Sequence, residues 1–358
     1  MNAITVIFLI SGFVLLIVGA EILVRGASKL AVSAGLSPLV VGLTVVAYGT
    51  SAPELAVSVQ SSYAGQADIA IGNVVGSNIA NILLILGACA AAAPLIVSRQ
   101  LVRLDAPLMT GISLMVWLMG WDGKLGRGDG IFLVMGAIAY TLFTLYQGRQ
   151  ESQSQELSEE NSNRGSRRGI YQILLNLGLI IGGVGLLVLG SDYLIKGSVN
   201  VAQTLGVSQL IIGLTIVAVG TSLPEIATSV VAAIRGERDI AVGNAVGSNI
   251  FNLLLVLGVC GVLAPEGIAV SIPALTFDIP VMIAVAVACL PIFFTGYRID
   301  RWEGILFLAY YVAYTLYLFL NATEHDALEE FSAIMLLFVM PLTLITLVIL
   351  AVRSFRKN

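Results

Sequence analysis

The sequence predicts an all-α polytopic membrane protein: two inverted five-helix repeats, ten helices in the core, plus a C-terminal eleventh helix. Three observations lead there. Of 358 residues, 58% are hydrophobic and only 11% charged, with a mean hydropathy of +0.96; soluble domains carry about 25% charged residues. At an offset of 171 residues (190 − 19), Gly19–Gly87 and Gly190–Gly258 align without a gap, and 36 of the 69 positions are identical. Finally, if the N-terminus is outside, fifteen of the 18 basic residues fall on the cytoplasmic side, and only Lys124, Arg127 and Lys196 lie outside. That bias predicts an N-out, C-in topology.

Apolar segments predict helices near 4–24, 38–62, 69–93, 106–121, 130–147, 170–195, 208–234, 240–264, 273–295, 303–320 and 331–352. The first lacks a basic n-region and belongs to the repeat, so it reads as a helix of the mature protein rather than a signal peptide. Residues 1–147 form the first repeat and 169–320 the second. Between them, 148–168 is rich in Ser, Glu and Asn, has no apolar period, and reads as a flexible cytoplasmic linker. Residues 321–358 hold the eleventh helix, an anchor or oligomer contact with an expected kink at Pro341, and a cytoplasmic tail. Five helices is an odd number, so the second repeat must enter the membrane the other way up. Inverted repeats with interrupted helices at matching places point to a transporter with a site at the membrane midplane.

The interruptions are GTSAPE (Gly49–Glu54) and GTSLPE (Gly220–Glu225), each inside an apolar run. A carboxylate near the middle of a membrane helix costs roughly 2.5–3.5 kcal/mol on insertion scales. Pro53 has no N–H to give, so the carbonyl of Gly49 loses its helical partner. Thr50 and Glu54 share a helix face, with Ser51 beside them. A second polar stretch follows in each half: GNVVGSNIAN (Gly72–Asn81) and GNAVGSNIFN (Gly243–Asn252). Ser77 and Asn81 are one turn apart, as are Ser248 and Asn252, and Gly72, Gly76, Gly243 and Gly247 leave room for a neighbouring helix. One such stretch alone would read as a packing motif. Two, each just after a buried Pro-Glu, read as a site.

Together the halves offer Glu54, Glu225, Thr50, Thr221, Ser51, Ser222, Ser77, Ser248, Asn81 and Asn252, with carbonyls freed at the bends. This is an all-oxygen set with two carboxylates, suited to Ca²⁺ and equally able to hold Na⁺; it lacks the sulfur or imidazole that Zn²⁺ or Cu⁺ would want.

These paired stretches resemble the two alpha repeats of the cation/calcium exchanger superfamily, most nearly the bacterial sodium/calcium antiporters of the YrbG type. The resemblance covers about residues 1–320. It implies ten core helices, in which helices one and six slide across the rest, and a cell (inner) membrane location in a prokaryote. Position by position it implies Ca²⁺ ligation by Glu54 and Glu225 with Thr50 and Thr221. Sodium would take Ser51, Ser77, Ser222, Ser248 and the carbonyls of Ala47 and Ala218. Many members carry aspartate at one or both of the positions held here by Asn81 and Asn252. With amides at both, potassium co-transport is not expected. The implied activity is Ca²⁺/Na⁺ antiport by alternating access, the alternative being H⁺/Ca²⁺ (or other divalent cation) exchange on the same fold. Neither needs a cofactor beyond the transported ions, and the partners are those ions and membrane lipid, with no nucleic acid.

Other polar residues have plainer readings. Glu21 and Asp192 sit four residues before Arg25 and Lys196, spacing for local ion pairs. Asp105 and Asp278 are expected to begin helices four and nine, at the positive end of the dipole. GRGDG at 126–130 contains a string found in intramembrane aspartyl proteases but falls in an outer loop without a second aspartate segment, and Asn321 with Thr323 makes a bare glycosylation string. Cys89, Cys260 and Cys289 lie in apolar spans without metal or disulfide spacing, and the lone His325 sits in an acidic loop. No catalytic constellation emerges, and no enzyme activity is expected.

Overall fold

Helices account for nearly all of the computed structural model, which describes residues 3–156, 166–205 and 218–355. In order they are α1 (Ala3–Ala34), α2 (Pro38–Thr50), α3 (Ala52–Tyr63), α4 (Ala67–Ala92), α5 (Leu101–Asp122) and α6 (Arg127–Glu156). The second half gives α7 (Ser166–Thr204), α8 (Ala218–Gly220), α9 (Leu223–Ile234), α10 (Arg238–Leu263), α11 (Ala274–Phe294) and α12 (Arg301–Ala322). The last described helix runs as α13 (Ala327–Ile334) and α14 (Met340–Phe355), continuous through the π-turn Met335–Val339, with Ala327–Thr346 forming a single span. Among the described residues nine helices are long and apolar enough to cross a membrane, and ten if α2 and α3, bent by 47°, count as one. Part of the helix expected at 208–234 falls outside the described residues.

Local chemistry sets the ends. Ser37 accepts from Val40 N (3.3 Å) and Pro38 takes the first helical position of α2, where a missing N–H does no harm. α3 and α9 both stop at a left-handed glycine, Gly65 (φ 74°) and Gly236 (φ 83°), and the next N–H turns back onto Ser61 O and Ala232 O. Three prolines are accommodated alike. Pro107, Pro280 and Pro341 each follow a π-turn that ends two residues earlier, at Asp105, Asp278 and Val339. The wider turn rearranges the bonding just ahead of the missing donor. At Pro341, where a kink is expected, the feature described is the π-turn Met335–Val339 ahead of the proline.

Several helices outrun their apolar segments. α1 reaches Ala34 rather than 24, because Leu30 and Ala31 remain buried on its inner face. α5 begins at Leu101, five residues before the expected start at 106, so Asp105 is inside the helix; Asp278 lies likewise within α11. α6 continues to Glu156, well into the interval expected to be a linker, through Gln and Glu residues of good helix propensity.

The halves are laced together. β1 (Leu95–Ile96), β2 (Lys124–Leu125), β3 (Ile268–Ala269) and β4 (Arg298–Ile299) form two antiparallel pairs, β1 with β4 and β2 with β3, so each half's short strands pair only with the other's. The helices exchange in the same way. A Cβ on Gly87 would stand 3.1 Å from Gly304 O, and one on Gly130 would stand 2.7 Å from Gly258 O, so α4 meets α12 and α10 meets α6 at backbone distance. α1 and α7 cross the same way: a Cβ on Gly19 would lie 2.9 Å from both Gly183 O and Leu187 N.

Gly19→Ala is therefore expected to cost about 1–3 kcal/mol by overpacking, read as a lower Tm of the purified protein. Gly182→Ala, with nothing within 4 Å of the new methyl, should leave Tm unchanged or raise it.

Candidate cation-binding site

The Pro-Glu motifs break their helices one residue before each new one begins. Ser51 (φ −82°, ψ 9°) separates α2 from α3, and Ser222 (φ −85°, ψ 5°) precedes α9; Pro53 and Pro224 then occupy the first turn. The break turns each serine toward the opposite half. Ser51 Oγ donates to Glu225 Oε1 at 3.0 Å, and Ser222 Oγ lies 3.3 Å from Glu54 Oε1 and 3.2 Å from Ser77 Oγ. Ser77 Oγ reaches the same Glu54 oxygen at 3.4 Å. Both carboxylates are only 1% exposed, and among the described residues no basic side chain pairs with either. Their neighbours are hydroxyls.

The threonines bond to asparagines, and Thr50 also lies within reach of the Glu225 carboxylate. Thr50 Oγ1 donates to Asn244 Oδ1 (3.1 Å) and Thr221 Oγ1 to Asn73 Oδ1 (3.3 Å), again across the halves. Asn73 Nδ2 in turn donates to Glu54 O (3.2 Å) and Ser58 Oγ (2.9 Å), while Asn244 Nδ2 donates to Ser229 Oγ (2.9 Å). Asn73 and Asn244 are the second letters of the two GN motifs. Their matched spacing from the Pro-Glu is the signal that marks them in the sequence.

Asn81 and Asn252 lie at the starts of π-turns, Asn81–Leu86 and Asn252–Val256. They are tied through their nitrogens to Asn249 and Asn78, two further buried residues for which spacing along the chain predicts no role. Ser248, equivalent to Ser77, is buried without a hydrogen-bond partner among the described residues. The carbonyl of Ala47 is engaged by Ser51 N (3.0 Å) and, at 3.4 Å, Thr50 Oγ1. Ala218 opens α8, the first described residues of its segment. The carbonyl of Gly220, the counterpart of Gly49, accepts from Ser191 Oγ at 2.6 Å.

Of the expected packing glycines, Gly243 and Gly247 sit within 3.0 Å of backbone atoms of Leu39 and Leu43 once a Cβ is placed on them. Gly72 and Gly76 have no described atom that near, and their equivalent partners, Leu210 and Leu214, fall outside the described residues.

Buried polar atoms nearly always have a partner. Here Glu54 Oε2, Glu225 Oε2, Asn81 Oδ1 and Asn252 Oδ1 have none among the described residues, and all four are acceptors. Unmet carboxylate and amide oxygens beside hydroxyls are what a hard cation would satisfy, and oxygen ligands of this kind suit Ca²⁺ or Na⁺.

The lesser candidates resolve separately. Glu21 pairs with Arg25 (2.6 Å) and also with Arg235, while Asp192 pairs with Lys196 (2.7 Å). Asp105 and Asp278 do not cap helices. Each accepts from a tyrosine of the helix that follows, Tyr140 at 3.0 Å and Tyr314 at 3.2 Å.

The bundle, with its many long apolar helices, is that of an integral, multi-pass membrane protein. The chain belongs to the sodium/calcium exchanger family, whose model matches residues 4–146 and 175–320. It is 39% identical over 262 residues to inner membrane protein YrbG of Escherichia coli (72% of this chain, 79% of that protein). It is 35% identical over 357 residues to sodium/calcium exchanger MaX1 of Methanosarcina acetivorans (89% and 99%). Its fold is similar to that of the sodium-calcium exchanger NCX_Mj soaked with Na⁺, with a TM-score of 0.75 and 29% identity over 87% of this chain and 98% of that one. The resemblance to YrbG-type exchangers seen in the motifs is thus borne out.

Removing the donor in Tyr140→Phe should destabilise the fold by about 1–3 kcal/mol, the cost of unmaking a buried hydrogen bond. A lowered Tm checks this, and Tyr146→Phe on the exposed face serves as the control.

Proposed function

We propose that the protein is a secondary antiporter that exchanges Ca²⁺ for Na⁺ across the cell membrane. It does so by alternating access, through two inverted five-helix repeats (1–147 and 169–320) joined by the 148–168 segment, with the N-terminus outside and the C-terminus cytoplasmic. Residues 321–358, outside the core, add an eleventh membrane helix. The observation that carries the reading is the reciprocal meeting of Ser51 with Glu225 and Ser222 with Glu54, which leaves one oxygen of each carboxylate unmet.

In this reading Glu54 and Glu225 carry the Ca²⁺ charge, with Thr50 and Thr221 beside them. Ser51, Ser77, Ser222, Ser248 and the carbonyls of Ala47 and Ala218 serve Na⁺. Asn81 and Asn252 contribute neutral oxygens. Two negative charges balance one Ca²⁺ or two Na⁺, so the ions exclude each other from one site. That exclusion is the physical basis of exchange. The membrane hydrocarbon supplies no competing donors, which makes each protein oxygen count.

Radioactive Ca²⁺ uptake into proteoliposomes loaded with Na⁺, K⁺ or choline at matched pH tests the coupling. Uptake is expected only with internal Na⁺; equal uptake from all three would sink sodium coupling, and uptake driven by an imposed proton gradient would establish the H⁺/Ca²⁺ alternative. Glu54→Gln and Glu225→Gln should each reduce uptake to the level of protein-free vesicles while the protein still folds, and retained exchange in either would remove the proposed site. Asn252→Asp, which adds a third carboxylate, is expected to change the Na⁺:Ca²⁺ ratio or confer dependence on K⁺, read by repeating the assay with external K⁺.

A further inference from the structure

Asn78 and Asn249 are 1% and 3% exposed, and each carries an amide whose orientation is dictated from outside itself. A backbone carbonyl can only accept a hydrogen bond. Asn249 Nδ2 donates to the backbone carbonyl of Asn78 at 3.2 Å, and this turns Asn249 Oδ1 the other way. There it meets Asn81 Nδ2 at 2.9 Å. With its nitrogen committed, Asn81 leaves Oδ1 without a partner among the described residues. The mirror path is complete as well. Asn78 Nδ2 donates to Asn249 O at 3.4 Å, Asn252 Nδ2 donates to Asn78 Oδ1 at 3.1 Å, and Asn252 Oδ1 is left unmet. Sulfur atoms of Met282 and Met109, 3.6 and 3.5 Å from Asn78 Nδ2 and Asn249 Nδ2, add weak acceptors on the nitrogen side of each amide.

The two ends of an amide differ in sign. Rotating Asn81 by half a turn would offer two N–H donors where a cation needs an oxygen. The polarity of one backbone carbonyl thus passes through Asn249 to Asn81, and that of another through Asn78 to Asn252. We infer that Asn78 and Asn249 are positioning residues that make Asn252 and Asn81 present carbonyl oxygens, and not amide nitrogens, to a bound cation. The inference rests on the cation-site reading above. Each relay crosses between the halves, so residue 249 governs residue 81 and residue 78 governs residue 252.

A mutant cycle read by initial-rate Ca²⁺ uptake into Na⁺-loaded proteoliposomes tests it. Asn249→Ala is expected to raise the KM for Ca²⁺ by roughly tenfold, within the range of coupling between hydrogen-bonded neighbours, with Vmax little changed. Adding it to Asn81→Ala should raise KM no further, whereas adding it to Asn252→Ala should multiply the two effects. Multiplied effects for the 249/81 pair, or a fall in Vmax at unchanged KM, would overturn the relay. Asn249→Ser keeps a polar group but lacks the carbonyl, and the Asn78→Ala/Asn252→Ala cycle reads the mirror path, should Asn249→Ala not fold. If wild-type protein shows no exchange, the exchange reading fails by itself. The same cycle read as the Ca²⁺-induced rise in Tm of purified protein then still decides the relay.

Discussion

Two buried carboxylates, with no basic side chain beside them among the described residues, set the terms for everything around them. Desolvating a charged group is expensive unless something in the interior compensates. Here the compensation is a set of hydroxyls to which the far half contributes each time, Ser222 for Glu54 and Ser51 for Glu225, with Ser77 of its own half joining Ser222 on Glu54. That exchange requires helices that stop and restart at the serine, which a proline in the first turn of the next helix enforces. It also brings helices α4 and α10 close enough for the amides of Asn78, Asn81, Asn249 and Asn252 to meet, while the glycines Gly243 and Gly247 let α10 close on α2.

The same crosswise logic extends outward from the centre. Threonines reach asparagines of the opposite half, short strands pair across, and glycines of α4 and α10 meet glycines of α12 and α6. Each of these contacts is a local packing solution, repeated because the two stretches of sequence are near copies. Duplicated sequence in opposed positions yields duplicated, swapped contacts. The departures are informative too: Ser191 holds the freed carbonyl of Gly220, while the corresponding residue on the other side is Ala20, which has no hydroxyl to offer Gly49.

Composition made the membrane bundle legible, and the Pro-Glu repeats made the clustered oxygens legible, because a buried carboxylate beside a proline has few innocent explanations. Helix lengths were less so. Apolar windows mark where lipid contact ends, whereas α1 and α6 continue as long as buried or helix-favouring residues follow. Asp105 was misplaced for a related reason, because the π-turn preceding Pro107 begins α5 earlier than hydropathy suggests; Asp278 already lay inside its apolar segment, and in both cases a tyrosine hydroxyl rather than a helix end stands beside the carboxylate. Asn73, Asn78, Asn244 and Asn249 went unnoticed because an amide's task depends on what lies across the bundle, and spacing along one chain does not carry that.

The crosswise strand pairs and serine bonds have a consequence for how the molecule is made. Ser222 follows Glu54 by 168 residues, and β1 waits for β4 until Arg298 and Ile299 have been synthesised. Until then the first half holds a Glu54 met only by its own Ser77 and two strands whose partners are not yet made. The contacts that close the centre are therefore available only once the second half has been added.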